Sequence, residues 1–192
     1  MSSPVVSQKG ATKRLVVLLV KPSKYDHQGY LVRFWRGVLP ANTLAAMYSL
    51  TMVAFQKSIL ADMECDVQAF DEVVWAQRVQ PQQMVSRYLD GQTKVVVGLV
   101  GVQTNQFPRA ADLAEDFRQA GATVVIGGFH VSGAMEALFY GINDPGRPGI
   151  PQPKKMPQDI ANLISKGVVI CVGEAEELWQ QILVDIVTGN PK

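Results

Sequence analysis

The chain has 192 residues, which corresponds to one domain at about 150 residues per domain. Hydrophobic residues make up 47% of it and charged residues 18%, a balance that excludes wholesale disorder. Its formal net charge is +1, and because polyanion-binding proteins carry a clear basic excess, nucleic acid is excluded as the main partner.

The first 13 residues are polar and are predicted to be an N-terminal tail. The apolar run that follows is short and ends at Lys21 and Pro22, so a signal peptide is not expected. No stretch reaches about 18 consecutive apolar residues, which excludes a membrane span. The two cysteines, Cys65 and Cys171, are too few for a disulfide scaffold or a thiolate metal cluster. We therefore expect a cytoplasmic protein that contacts no membrane.

Five short segments are predicted to be β-strands. In chain order they span residues 15–20, 65–70, 95–100, 124–126 and 168–172. Four of them are continuous runs rich in Val and Ile, which is typical of parallel strands covered on both faces. The second alternates between apolar and polar residues, which indicates an edge strand.

Helical spacing of apolar residues fills the gaps between these strands. The stripe of the first helix is predicted to be Leu44, Tyr48, Phe55 and Ile59, with Asn42 or Thr43 as the cap. A shorter helix is predicted over residues 81–89. The stripe of the third is Ala110, Leu113, Ala114 and Phe117, and Gly121 ends that helix. The stripe of the last is Trp179, Ile182, Leu183, Ile186 and Val187, before Gly189.

The alternation of strands and helices predicts an α/β fold with right-handed crossovers. With the second strand at an edge, we expect a doubly wound five-stranded parallel sheet of order 2-1-3-4-5, with helices on both faces. Two connections, residues 21–39 and 139–157, are long for such a fold, and long loops in compact domains are usually functional or disordered.

Polar residues follow the third strand, at the edge of the sheet where ligands bind in this class of fold. Gln103, Thr104 and Asn105 stand there in a row. One interpretation is ordinary capping of the next helix. The other is contact with a ligand that carries many amide groups, since three such side chains exceed what a cap needs.

Two glycine-containing segments complete this edge. Gly127 and Gly128 serve either a tight turn or a close backbone approach to a ligand. His130 follows them, and either a structural role or a ligand contact explains a histidine at this place. Gly173 and Glu174 open the last helix, where the helix dipole alone accounts for acidic residues.

The common nucleotide and hydrolase signatures are absent from the sequence. There is no Gly-x-Gly-x-x-Gly after a strand, no phosphate-binding loop with Gly-Lys-Ser/Thr and no Gly-x-Ser-x-Gly elbow. Residues 1–40 carry seven Lys and Arg against one Asp, a local net charge of +6, interleaved with aromatic residues. This segment is either a solvated loop or a contact for a phosphate or an acidic partner domain.

Four stretches form a recognisable set: residues 38–44 (VLPANTL), 97–110 (VGLVGVQTNQFPRA), 124–133 (VVIGGFHVSG) and 173–176 (GEAE). In this order and spacing they resemble the cobalamin-binding domain at the N-terminus of cobalamin-dependent radical S-adenosylmethionine enzymes. The resemblance covers roughly residues 15–187. It implies a flavodoxin-like fold, with the corrin ring across the strand ends and the nucleotide tail between the sheet and the helices.

By this resemblance, residues 14–188 form the cobalamin-binding domain and residues 189–192 begin a linker. The residues that match the family's cofactor-binding segments are Gln103, Thr104, Asn105, Gly127, Gly128, Phe129, His130, Gly173 and Glu174. The first three match the loop that faces the corrin, the next four the loop that lines the tail and the ring edge, and the last two the far side of the tail channel.

Two departures from related proteins limit the function. Better-known cobalamin domains carry Asp-x-His-x-x-Gly, whose histidine binds cobalt, whereas this chain has Asp26-His27-Gln28-Gly29 with the wrong spacing. We therefore expect the cofactor base-off, with no histidine ligand from this chain. The Cys-x-x-x-Cys-x-x-Cys motif of radical enzymes is also absent. S-adenosylmethionine and a four-iron, four-sulfur cluster are expected only in a partner barrel domain, in cis or in trans.

The leading hypothesis is a binding module that presents cobalamin, as methylcobalamin or hydroxocobalamin, to a radical S-adenosylmethionine enzyme such as a methyltransferase. No catalytic residue and no metal ligand are assigned, and no catalysis is expected from this chain alone. The alternatives are a flavodoxin-like protein that binds a flavin or a nucleotide, and a regulatory interaction domain, because one fold hosts many functions.

Overall fold

The computed structural model describes residues 12–37, 41–140 and 155–189. Its strands are β1 (Arg14–Lys21), β2 (Glu64–Asp71), β3 (Thr93–Leu99), β4 (Thr123–Gly127) and β5 (Val169–Cys171). All neighbours pair in parallel, in the order β2-β1-β3-β4-β5. This confirms the predicted flavodoxin-like α/β fold. Most of the predicted tail and of the predicted linker lies outside the described residues.

Helices cover both faces of the sheet. They are α1 (Asn42–Phe55), α2 (Pro81–Ser86), α3 (Phe107–Gln119), α4 (Phe129–Ala134), α5 (Gln158–Ser165) and α6 (Ala175–Thr188). A 3-10 turn, Ser58–Asp62, follows α1, and a π-helical turn, Met135–Tyr140, continues α4. Helices α1 and α6 pack on one face, and α2 to α5 pack on the other. In the described part of the chain, no helix is long and apolar enough to cross a membrane.

The central strand β1 shows why its sequence does not alternate in polarity. Val16, Leu18 and Val20 belong to the core under α2 to α5. Leu15, Val17 and Leu19 belong to the core under α1 and α6. Both sets are buried, so both faces require apolar side chains. The strand β2 pairs only with β1 and keeps partly exposed polar residues, as expected of an edge strand.

The first helix differs from its prediction in length, face and cap. It ends at Phe55, and Ser58 then takes a left-handed conformation with φ +57°, which places Ile59 in the exposed 3-10 turn. Tyr48 is 40% exposed, and the buried residues of α1 are Leu44, Met47, Thr51 and Ala54. The N-cap is Ala41, with no side-chain hydrogen bond, so the predicted caps at Asn42 and Thr43 are wrong.

Two short helices lie between β4 and β5, where the alternation of strands and helices predicts one helix without bounds. Helix α4 begins directly after Gly128, and α5 lies between the predicted long loop and β5. Ser132 lies inside α4, and its hydroxyl accepts a hydrogen bond from the Gly173 N–H at 3.1 Å. That bond ties α4 to the turn after β5. Residues 141–154 of the predicted long loop lie outside the described residues.

Candidate functional site

A cavity of about 200 Å³ lies between the sheet and helices α1 and α6, at the carboxyl edge of the strands. Its wall on the sheet side is made by Gly98, Leu99, Val100, Gly101, Val125, Gly127, Gly128 and Cys171. Its helical side is made by Thr43, Ala46, Met47, Leu50, Gly173, Glu174, Ala175, Glu176 and Trp179. Four of the nine predicted site residues therefore line one cavity: Gly127, Gly128, Gly173 and Glu174.

The indole of Trp179 forms a fixed part of this cavity. Its Nε1 donates a hydrogen bond of 2.8 Å to the Thr51 hydroxyl, which itself donates to the Met47 carbonyl at 2.7 Å. A Cβ at Gly98 would lie 3.2 Å from the indole and 3.1 Å from the Leu19 side chain. The glycine thus lets the indole lie close to the strand. Sequence spacing predicted Trp179 as a core residue and gave no sign of its place in the cavity.

Gly128 is required by the backbone around it. Its φ is +137°, and a Cβ there would lie 2.2 Å from the Val102 nitrogen. Val102 N–H donates to the Gly127 carbonyl at 3.2 Å, and His130 N–H donates to the Val102 carbonyl at 3.0 Å. The glycine pair therefore joins the loop after β4 to the loop after β3. This supports the tight-turn interpretation of Gly128, while both glycines also line the cavity.

Gly173 and Glu174 lie at the mouth of the cavity. Gly173 has a φ of +95° and open space where a Cβ would stand. Glu174 is the N-cap of α6, but its side chain makes no capping hydrogen bond and is exposed. Glu176 also lines the mouth, in the first turn of α6. The two carboxylates give this rim a negative charge.

Gln103, Thr104 and Asn105 are exposed on the carboxyl edge, outside the cavity. The N-cap of α3 is Gln106, with no side-chain capping bond, so the capping interpretation of this row is wrong. Within the described residues, the three side chains form no hydrogen bond with another protein group. Gln106, which the sequence did not single out, donates from Nε2 to the Pro22 carbonyl at 2.7 Å and accepts from the Gln103 N–H at 3.0 Å. It joins the loops after β1 and β3, where the strand order reverses.

Phe129 and His130 do not reach the cavity. Phe129 is 70% exposed at the start of α4. The His130 ring stacks on Phe107 with its centroid 4.1 Å away, on the face covered by α3 and α4. Its buried Nε2 lies 3.6 Å from a carboxylate oxygen of Asp159 in α5. His130 therefore sits on the opposite side of the sheet from the cavity.

A buried ionic cluster at the end of β2 was not predicted from the sequence. The Glu72 side chain is fully buried and accepts hydrogen bonds from Arg109 Nη2 at 2.6 Å and from the Ser23 N–H at 3.0 Å. Arg33 Nη2 lies 3.9 Å from the same carboxylate. Burial lowers the pKa of Arg109, but its hydrogen bonds and ion pair with Glu72 outweigh this and raise it overall. The cluster fastens the loop after β1 to α3.

That loop is an ordered hairpin with Asp26 at its tip. The Asp26 carboxylate accepts hydrogen bonds from the N–H groups of Gln28 and Tyr30, and Tyr25 pairs with Leu31. His27 is exposed at this tip. The Tyr25 hydroxyl donates to Asp112 at 2.6 Å, and burial followed by this bond raises the pKa of Tyr25.

Large aromatic side chains project from this loop and from the turn after β2. They are Tyr30, Phe34, Trp35 and Trp75, each more than half exposed. Phe34 is held by backbone bonds of 2.8 Å from its N–H to the Val73 carbonyl and from the Trp75 N–H to its own carbonyl. The four rings therefore form an exposed aromatic display on the carboxyl edge.

No group of three or more His, Cys, Asp or Glu side chains that could hold a metal ion occurs in the described parts of the chain. Comparisons of the chain with protein-family models, with curated proteins and with solved structures give no match. Function is therefore inferred from the residues and from the geometry of the site.

Proposed function

We propose that this chain is a cobalamin-binding module that serves a radical S-adenosylmethionine enzyme such as a methyltransferase. The observation that carries the proposal is the cavity between the sheet and helices α1 and α6. It opens where the resemblance places the nucleotide tail of the corrinoid. Four of the predicted cofactor-binding residues line it, and three more lie outside it on the same edge of the sheet: Gln103, Thr104 and Asn105.

The cavity fits one part of the cofactor. At about 200 Å³ it is smaller than the 300–1,000 Å³ of sites that enclose a whole drug-sized ligand. Engineered cavities of about 150 Å³ bind benzene, so this volume suits a flat bicyclic base. Gly101 contributes to this space, because a Cβ there would lie 3.0 Å from the Thr43 side chain. The macrocycle would then remain outside, over the strand ends.

In this arrangement the protein binds, orients and shields the cofactor. The apolar walls around Met47, Leu50 and Trp179 exclude water from the base. The exposed amides of Gln103 and Asn105 can donate to and accept from the amide groups at the corrin edge. When bound, the corrinoid supplies a cobalt centre that carries a transferable alkyl group.

The positions of the two histidines support base-off binding without a histidine ligand. His27 lies at the exposed tip of a hairpin, and its neighbour Asp26 is used by the turn itself. His130 is stacked on Phe107 across the sheet from the cavity.

The aromatic display on the carboxyl edge supports the proposal of a partner domain that covers the cofactor. Tryptophan, tyrosine and arginine dominate the binding energy of protein interfaces. Trp35 is 78% exposed, and the cations Lys24, Arg36 and Arg78 are exposed on the same loops. A barrel domain with an acidic face, in cis or in trans, fits this surface and would supply S-adenosylmethionine and the iron–sulfur cluster.

The proposal is tested by retention of methylcobalamin on the protein after gel filtration in the dark, read from the visible spectrum. Ala46 is exposed on α1 and lines the mouth of the cavity, so Ala46→Trp blocks the mouth without disturbing the core. Ala45→Trp is the matched control, because Ala45 is exposed on the same helix and does not line the cavity. We expect about one corrinoid per chain in the wild type and in Ala45→Trp, and at least about tenfold weaker binding in Ala46→Trp.

Two outcomes would overturn the proposal. One is the absence of retained corrinoid on wild-type protein. The other is an equal loss of corrinoid binding in Ala46→Trp and Ala45→Trp. Retention of flavin mononucleotide in a parallel run, without retention of corrinoid, would favour the flavodoxin-like alternative instead.

Base-off binding has its own measurement. The electron paramagnetic resonance spectrum of the bound cob(II)alamin should lack the nitrogen superhyperfine splitting that an axial nitrogen ligand produces. His27→Ala should leave the spectrum unchanged. Splitting that disappears in His27→Ala would show that this histidine binds cobalt.

A further inference from the structure

We propose that the cavity selects among corrinoids by the base at the end of the nucleotide tail, accepting a benzimidazole and rejecting a purine. This inference rests on the proposed function. It concerns which tail the cavity accepts, and the contacts that carry it are those of the inner walls.

On the sheet side of the inner cavity, the backbone groups of β3 and β4 are paired within the sheet. Strand β3 is paired on both sides, with β1 and with β4, and β4 is paired with β3 and β5. Beyond the last residue of β3, Val100 N–H donates to the Val20 carbonyl at 2.9 Å. The hydrogen-bonding groups of these strands lie in the plane of the sheet, so the wall presents apolar side chains and glycine Cα atoms.

The side chains on the helical side of the inner cavity are also largely apolar. Met47 and Leu50 present hydrocarbon and thioether atoms from the interior of α1. The Trp179 N–H, the strongest donor nearby, is already bonded to Thr51. The Cys171 thiol remains, and burial raises its pKa, so it stays a protonated, weak donor at neutral pH.

Polar side chains occur only at the mouth, among the residues that line this cavity. Thr43, Glu174 and Glu176 are all exposed there. A base that enters between the helices and the sheet therefore leaves these groups behind it. The ribose and phosphate of the tail, which are polar, would remain at the mouth instead.

Dimethylbenzimidazole matches these walls and adenine does not. When one ring nitrogen is bonded to the ribose, dimethylbenzimidazole keeps one ring nitrogen and two methyl groups. Adenine in the same place adds two ring nitrogens and an amino group. A buried polar group without a partner loses its hydrogen bonds to water. We expect the adenine-bearing corrinoid to bind at least about tenfold more weakly than cobalamin.

Three corrinoids separate the possible outcomes: cobalamin, its analogue with adenine as the base, and cobinamide, which has no nucleotide tail. Dissociation constants are measured by visible titration of wild-type protein. Binding of cobalamin that is at least tenfold tighter than that of the adenine analogue supports selection. Equal binding of those two, with cobinamide weaker, overturns selection but keeps the tail in the cavity. Equal binding of all three overturns a role for the cavity, and no binding at all overturns the proposed function itself.

A variant can relax the selection by supplying the missing partners. Leu50→Gln places an amide on the cavity wall. Leu50 is a half-buried position of α1, so a glutamine there is compatible with folding of the chain. Val53→Gln is the matched control, since Val53 lies on the same helix, is exposed and does not line the cavity. We expect the ratio of the two dissociation constants to fall at least about threefold in Leu50→Gln and to stay unchanged in Val53→Gln. An unchanged ratio in both variants would contradict an apolar wall as the source of selection.

Discussion

Replacing Gly128 by alanine tests whether the glycine pair is first a requirement of the fold. The φ of +137° at Gly128 lies in a region that only glycine occupies readily, so alanine costs about 1–3 kcal/mol there. The added Cβ would also stand 2.2 Å from the Val102 nitrogen, a backbone atom that no rotamer change can move. Relief of that overlap would weaken both backbone bonds of Val102, at about 1 kcal/mol each. We expect Gly128→Ala to lose about 3–5 kcal/mol of unfolding free energy.

The control for this variant is Gly133→Ala in α4. No atom lies within 4 Å of a Cβ at Gly133, and its φ is not positive, so alanine should stabilise the protein by about 0.5–1 kcal/mol. Both variants are measured by urea unfolding followed by tryptophan fluorescence, with the wild-type slope as the check on two-state behaviour. An unfolding free energy of Gly128→Ala within about 0.5 kcal/mol of wild type would refute the steric reasoning.

Three further predictions concern charged and reactive groups. Glu72→Gln should lower the unfolding free energy by about 3–5 kcal/mol in urea, because it leaves Arg109 buried beside a neutral group; a loss below about 1 kcal/mol would contradict this. Bound methylcobalamin should slow the alkylation of Cys171 by iodoacetamide, but not that of Cys65, which lies outside the cavity. Peptide mass spectrometry measures both rates. An equal rate for Cys171 with and without methylcobalamin would argue against occupancy of the cavity. Hydrogen bonds from Arg118, Gln119 and Lys166 lower the pKa of Glu115 from 4.5 to about 2. Its contribution to stability is therefore present above pH 4.5 and disappears as the pH falls to about 2. In acid titrations, the difference in stability between wild type and Glu115→Gln should shrink across that range of pH.

The sheet could be predicted from the sequence because its signal is local. Each central strand is buried on both faces, so its residues form an unbroken apolar run that can be read without knowing any partner. The edge strand β2 is half exposed, and the alternation of apolar and polar residues in its sequence indicated this. Strand order then followed from the edge position of β2 and the usual crossovers.

The buried face of α1 could not be predicted because it depends on a distant partner. Thr51 is polar and fully buried, and its burial makes sense only because the Trp179 N–H, 128 residues later, donates to it. The predicted apolar stripe left out Thr51 because it is polar, and included Tyr48, which is exposed. The ion pair of Glu72 with Arg109 is hidden in the same way, since the two residues are 37 positions apart. The bounds of α4 and α5 could not be predicted, because helices of six and eight residues are too short to show a clear helical periodicity.

The sequence located the edge of the sheet that carries the cavity, but the side of the sheet follows from side-chain volume. On the face under α3 and α4, Phe107 and Val131 fill the space beside the strand ends, and His130 stacks against that core. On the opposite face, Gly98 and Ala46 leave the corresponding space open. A loop-by-loop interpretation groups His130 with the glycines before it, because they are adjacent in sequence. Helix α4 separates them, since it carries the histidine side chain across to the filled face. The cavity therefore depends on small residues of β3 and α1, of which Gly98 lies in the segment 97–110 and Ala46 lies outside the segments that carry the resemblance.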